Sequence, residues 1–146
     1  MNILKLGTTI IAIILLIYLI YKISKEIRDN FEDQNEDPYV LQLVQEIRHI
    51  DPSVDNIVDK LKFFEGNKSY TINKTYVHLC KKDKDGNIYH KNQLVLVLLH
   101  EIAHALCNEV GHTTKFNEIL NDLLAKAEKH GVYDSKIPHV PNYCEY

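Results

Sequence analysis

The chain has 146 residues, 45% of them hydrophobic, with 17 Lys and Arg against 20 Asp and Glu. That length leaves room for one small domain. A net charge of −3 and a pI of about 6.2 give no electrostatic case for a nucleic-acid partner, and the chain holds no internal repeat and no Gly-rich phosphate loop.

Residues 6–21 carry no charge and include Ile10-Ile11-Ala12-Ile13-Ile14-Leu15-Leu16-Ile17. As a helix they reach about 24 Å, slightly less than a hydrocarbon core of roughly 30 Å, and Lys5 and Lys22 can snorkel to close the gap. Ile20-Tyr21-Lys22-Ile23 offers no small-residue cleavage site, which favours an anchor over a cleaved signal peptide. The expected organisation is a single transmembrane anchor at 1–23, a polar juxtamembrane linker at 24–36 and a soluble domain at 37–146. Lys22, Lys25 and Arg28 follow the apolar run while only Lys5 precedes it, so charge leans the domain toward the cytosol. Cys80, Cys107 and Cys144 form an odd set with no disulfide framework, which agrees with a reducing compartment. The sequons Asn67-Lys68-Ser69 and Asn73-Lys74-Thr75 point the other way.

In the domain, Asp37-Pro38 is a helix start, and Val40, Leu41, Val44 and Ile47 form its apolar face. Asp51-Pro52 repeats the signal, with a stripe of Val54, Ile57, Val58 and Leu61 closed by Gly66 and Asn67. Residues 70–79, rich in Tyr, Thr, Ile and Val, alternate as a strand. Lys81-Lys82-x-Lys84 reads as a solvated turn. The Asp85-Gly86 turn lets Ile88-Tyr89-His90 return as a second strand. Phe116, Ile119, Leu120, Leu123, Leu124 and Ala127 mark a last helix, begun by Thr113 or Thr114 and ended at Gly131. The tail, residues 133–146, contains Pro138 and Pro141 and reads as extended. The fold class is α+β.

The chemistry lies at His100-Glu101-Ile102-Ala103-His104. Two His four apart on a helix share a face and can reach one metal ion, while the Glu between them stays beside it, placed to take a proton from a metal-bound water. The run 94–99 and Ile102, Ala103 and Leu106 make this a buried helix, whose polar centre a metal would satisfy. A catalytic zinc usually keeps three protein ligands. His112, after a helix-ending Gly111, is the third. Glu109 is a poorer rival because it is rotated by roughly 140° from His104 on an ideal helix. Cys107 reads better as a small buried hydrophobe.

With Gly111-His112-x-x-x-Phe116, these residues resemble the minimal zincin peptidases of the WLM and SprT-like type. The stretch 70–133 is similar to uncharacterised WLM-like proteins of large DNA viruses. The resemblance implies a zincin-like domain with one zinc on His100, His104 and His112, and Glu101 as the catalytic residue.

The expected function is therefore a membrane-anchored zinc metallopeptidase that cleaves a protein or peptide substrate, with Glu101 as general base and acid. Two alternatives stand beside it: a non-catalytic zinc-binding membrane protein of degenerate peptidase fold, and a small structural membrane protein carrying a chance motif. His49, His78, His90, His130 and His139 lack ligand spacing and read as surface or capping residues. Tyr133, His139 and Tyr143 are candidate oxyanion donors, Tyr133 first because the Gly131 turn fixes its place. Cys144 is a candidate for approaching the zinc and blocking it.

Overall fold

A computed structural model describes residues 2–32 and 35–145. It has a mixed α+β architecture, divided into two units at residue 35. The first unit is helix α1, Asn2–Glu32. Its segment Gly7–Ile27 is long and apolar enough to cross a membrane, reaching about 30 Å at 1.5 Å per residue. The side chains from Ile10 to Ile23 are uniformly exposed. The helix continues to Glu32, over the first part of the juxtamembrane stretch 24–36. The side chains of Lys5 and Arg28, together with Asp33-Gln34 and Tyr146, lie outside the described residues.

The second unit orders its elements as α2 (Pro38–Ile47), a 3-10 turn at Arg48–Ile50, α3 (Pro52–Val58), β1 (Lys62–Glu65), β2 (Tyr70–Ile72), β3 (Tyr76–Leu79), α4 (Lys91–Leu106) and α5 (Thr114–Lys129). The helix starts follow their sequence signals. Asp37 accepts from the Val40 amide, Asp51 from Ser53 and Thr113 from Phe116, each satisfying a first-turn donor. Asp51 also receives the Lys126 ammonium of α5 at 2.6 Å. That bond, then those from Ser53, hold its carboxyl down at about 2. A depressed carboxyl stabilises the fold fully above its unfolded value of 3.8 and loses that contribution as pH falls toward 2. We therefore expect Asp51→Asn, which keeps a capping oxygen, to cost about 1 kcal/mol at neutral pH and nothing near pH 2. Thermal melts of the full chain in detergent at pH 7 and pH 3 check this, since the gap between wild type and variant must narrow at the lower pH.

The sheet differs from the expected hairpin. Its order is β1-β3-β2, with β1 parallel and β2 antiparallel to β3. Residues 70–79 do not form one strand. Asn73 and Lys74 take φ of +50° and +52°, and Thr75 donates to the Ile72 carbonyl at 3.0 Å, closing a tight turn over residues 73–75. The stripe ending at Leu61 is helical only to Val58, and β1, whose Phe63 and Phe64 are both buried, replaces its end. Ile88 makes only an isolated bridge to Lys82, because His90 already caps α4. Lys81 is buried rather than solvated, and it pairs with both Asp37 and Glu65.

Strand register assigns the two faces. Thr71 pairs with Val77, and Val77 with Phe63, on the face that packs against α4. Tyr70, His78 and Phe64 line up on the other face, with the His78 ring stacked on Tyr70 at 4.7 Å and on Phe64 at 5.2 Å. His78 is thus buried within the sheet, not a surface or capping residue. Helix α4 runs through the middle of the unit, against β2, β3, α3 and α5. Leu94, Val95, Leu98, Leu99, Ile102 and Ala103 are fully buried on it. At about 1.5–3 kcal/mol for each large aliphatic side chain, this helix is the most firmly held element available to carry a site.

The cysteines also differ from expectation. Cys80 and Cys144 form a disulfide, and Cys107 is the buried free thiol. The odd count concealed one pair and one core residue, so the cysteines offer no argument for a reducing compartment. The tail is not simply extended. It turns at residues 141–144, which brings Cys144 to the end of β3.

Candidate metal centre

Helix α4 places His100 and His104 one turn apart. It ends at Leu106, earlier than Gly111, because Cys107 leaves helical geometry with ψ 129° and turns its buried side chain into the core. The Lys74 ammonium holds the Cys107 carbonyl from the β2–β3 turn. Gly111 does take a left-handed φ of +84°, but inside the loop, where it brings His112 back over α4. The Nε2 atoms of His100, His104 and His112 then lie 3.0–3.2 Å from one another.

Three ring nitrogens this close, all aimed at one point, form a donor set that could hold a metal ion. For a tetrahedral ion with bonds of about 2.0–2.1 Å, neighbouring ligand atoms lie about 3.3–3.4 Å apart. The observed triangle is slightly tighter than that and of the right shape. The protonation states fit as well. Burial, then the neighbouring His104 and His112, push His100 down to about 4, and burial and His112 lower His104. Neutral imidazoles present the lone pairs that a cation takes.

Phe116 organises the cluster from below. Its ring, 1% exposed, stacks on His104 at 4.3 Å and meets His100 and His112 edge-on at 5.0 and 4.9 Å. Glu101 points to the sheet side of α4 and is 4% exposed. The Thr71 hydroxyl donates to its Oε2 at 2.7 Å. Burial raises the carboxyl's affinity for a proton, and the Thr71 bond opposes that rise. Thr71 follows from the alternation of residues 70–79, which puts it on the face of Val77 and Leu79. Phe116 reads from sequence as plain core, since nothing local to it announces ring contacts with three histidines.

The rival ligands stay outside the group. Cys107 is fully buried, and Glu109 lies on the exposed loop at the rim of the neighbouring cleft. His90 caps α4 by accepting from Asn92, and His130 caps α5. Of the candidate oxyanion donors, Tyr133 is buried in the core, which removes the preference given to it. Tyr143 lines a cleft together with His100 and Glu101, but its hydroxyl already donates to the Cys80 carbonyl. Cys144 is held by Cys80, so it is no thiol ligand.

Two clefts flank the histidines. One, of about 540 Å³, is lined by Thr71, Lys74, His104, Glu109, Gly111 and His112. The other, of about 450 Å³, is lined by Leu96, Val97, Lys68, Tyr143, Cys144 and Glu145. They share Ser69, His100 and Glu101, so the cluster lies where they meet.

The chain belongs to a family of proteins of invertebrate iridescent viruses. It is 37% identical over 150 aligned positions to the uncharacterized protein 042R of Invertebrate iridescent virus 3, which covers 90% of this chain and 94% of that one. It is also 52% identical over 92 residues to the uncharacterized protein 136R of Invertebrate iridescent virus 6. That match covers 61% of this chain and spans about half of the relative's length, 52%. No family model matches the chain, and no solved structure matches it. The likeness to WLM and SprT-like peptidases therefore rests on the His motifs alone.

Proposed function

We propose that the chain is a membrane-anchored zinc-dependent metallopeptidase with a minimal zincin-like domain. The observation that carries this reading is the convergence of three His Nε2 atoms beside a buried, oriented carboxylate on the same helix. A structural His cluster has no use for that carboxylate, whereas hydrolysis needs a base beside a metal-bound water. His100, His104 and His112 would hold the zinc, which when bound supplies an acidified water and polarises the scissile carbonyl.

Glu101 would act as the base toward the attacking water and as the acid toward the leaving amine. Thr71 fixes one carboxylate oxygen, which leaves the other to carry the proton. The raised proton affinity of Glu101, caused by its burial, is in the direction that helps a base hold the proton it takes. Among the described residues β2 is paired only with β3, and Tyr70 and Thr71 line the larger cleft. An extended peptide can therefore add to the free edge of β2 and run through both clefts. Helix α1 serves as the anchor. The Cys80–Cys144 bond favours a domain facing an environment in which disulfides persist, in line with the two sequons and against the charge balance around the helix.

Metal analysis of the purified full chain in detergent tests the centre. About one zinc per chain is expected, and His104→Ala should lose it. A folded wild-type chain that takes up no divalent metal would overturn the proposal.

A further inference from the structure

The smaller cleft is unusual in how its outer wall is held. Its floor is Leu96 and Val97, the residues four and three before His100 on α4. Its opposite wall is the tail segment Tyr143, Cys144 and Glu145, which belongs to no helix or strand. Asn142 and Cys144 both take left-handed φ, +52° and +54°, a conformation that non-glycine residues keep only when their surroundings impose it.

Those surroundings are specific. Cys144 is bonded to Cys80 across 64 residues of sequence. The Tyr143 hydroxyl donates to the Cys80 carbonyl and lies 3.2 Å from Ser69 Oγ, which itself accepts from the Cys80 amide at 2.9 Å. The Tyr89 hydroxyl receives the Cys144 amide at 3.2 Å, and the Tyr89 and Tyr143 rings meet at 4.8 Å. Gln93, on the first turn of α4, accepts from the Val140 amide at 2.9 Å. These fastenings run from the tail to Ser69 just before β2, to the end of β3, to the approach to α4 and to α4 itself.

We infer that this disulfide-fastened tail is the selectivity wall of the peptidase cleft, closing a subsite that admits a bulky apolar side chain next to His100 and Glu101. The inference rests on the peptidase reading. Leu96 and Val97 of α4 and Tyr143 and Cys144 of the tail supply the subsite's apolar lining. Lys68 and Glu145 offer opposite charges that offset one another. A bulky apolar side chain would be desolvated on both faces, and a small or acidic one would not. Without the disulfide the tail keeps only its hydrogen bonds and ring contact, and the wall loosens.

The test compares the zinc-loaded full chain in detergent with Val97→Phe and with the double variant Cys80→Ser/Cys144→Ser. Substrates are peptides bearing Phe, Leu, Ala or Asp at each position next to the cleaved bond. At one of these positions wild type should prefer Leu or Phe over Ala by about tenfold or more in kcat/KM. Val97→Phe fills the subsite and should reverse that order at the same position. The double variant should flatten it to about threefold or less, whatever its overall activity, because partial unfolding lowers all substrates equally and leaves the ratio unchanged. Hydrolysis with the same preference in all three proteins would leave the peptidase reading standing and overturn the wall. No hydrolysis by zinc-loaded wild type would overturn the peptidase reading and the subsite with it.

Discussion

Glu101→Gln is expected to lower peptide hydrolysis by about 10²–10⁴-fold while leaving bound zinc in place. The substitution is nearly isosteric, and the amide carbonyl can still accept the Thr71 hydroxyl that now reaches Oε2 at 2.7 Å. The three histidines are untouched, and none of their Nε2 contacts involves Glu101. What disappears is a group able to accept a proton. The variant also removes an ionisable carboxyl from a site only 4% exposed, a burial that disfavours the charged form. Its melting temperature should therefore equal or exceed that of wild type. This combination separates a catalytic role from a structural one, since a carboxylate kept for stability would give a less stable variant. Metal content, thermal melts and hydrolysis on one preparation decide the matter, and full activity in Glu101→Gln would sink the mechanism.

The parts of this arrangement that were legible in the sequence are those set by local periodicity. The i, i+4 pair His100 and His104, the caps Asp37, Asp51 and Thr113, and the stripe of α5 all depend on residues within one or two turns of each other. The misread parts depend on tertiary partners. Val58 and Leu61 continue a helical stripe on paper, yet the chain leaves the helix after Val58 because Phe63 and Phe64 gain more from burial beside β3. Lys81 looks like a solvated charge until Asp37 and Glu65, far apart in sequence, enclose its ammonium. Cys80 and Cys144 show no spacing rule, since the register of β3 and the turn at 141–144 together decide their pairing. The same holds at the site: the sequence offered His112 by its Gly111 neighbour, but the Phe116 ring beneath all three histidines is visible only once α5 lies against α4.

That ring carries the second large prediction. Phe116→Ala removes a fully buried side chain and should cost about 3–5 kcal/mol of stability. It also takes away the surface against which His100, His104 and His112 are held at 4.3–5.0 Å. His112 is the most dependent of the three, because it sits on an exposed loop while the other two are fixed by α4. Phe116→Leu separates volume from ring contact. Leucine restores most of the buried apolar surface, so most of the stability should return. It cannot stack flat on His104, so the imidazoles gain freedom that metal binding must then remove. Supports of this kind behind metal ligands typically change affinity by about 10–100-fold, and we expect Phe116→Leu to bind zinc about tenfold more weakly than wild type in a chelator competition. Wild-type affinity in the leucine variant would show that Phe116 acts by filling space alone, and that the loop carrying His112 is ordered by its own turn at Gly111.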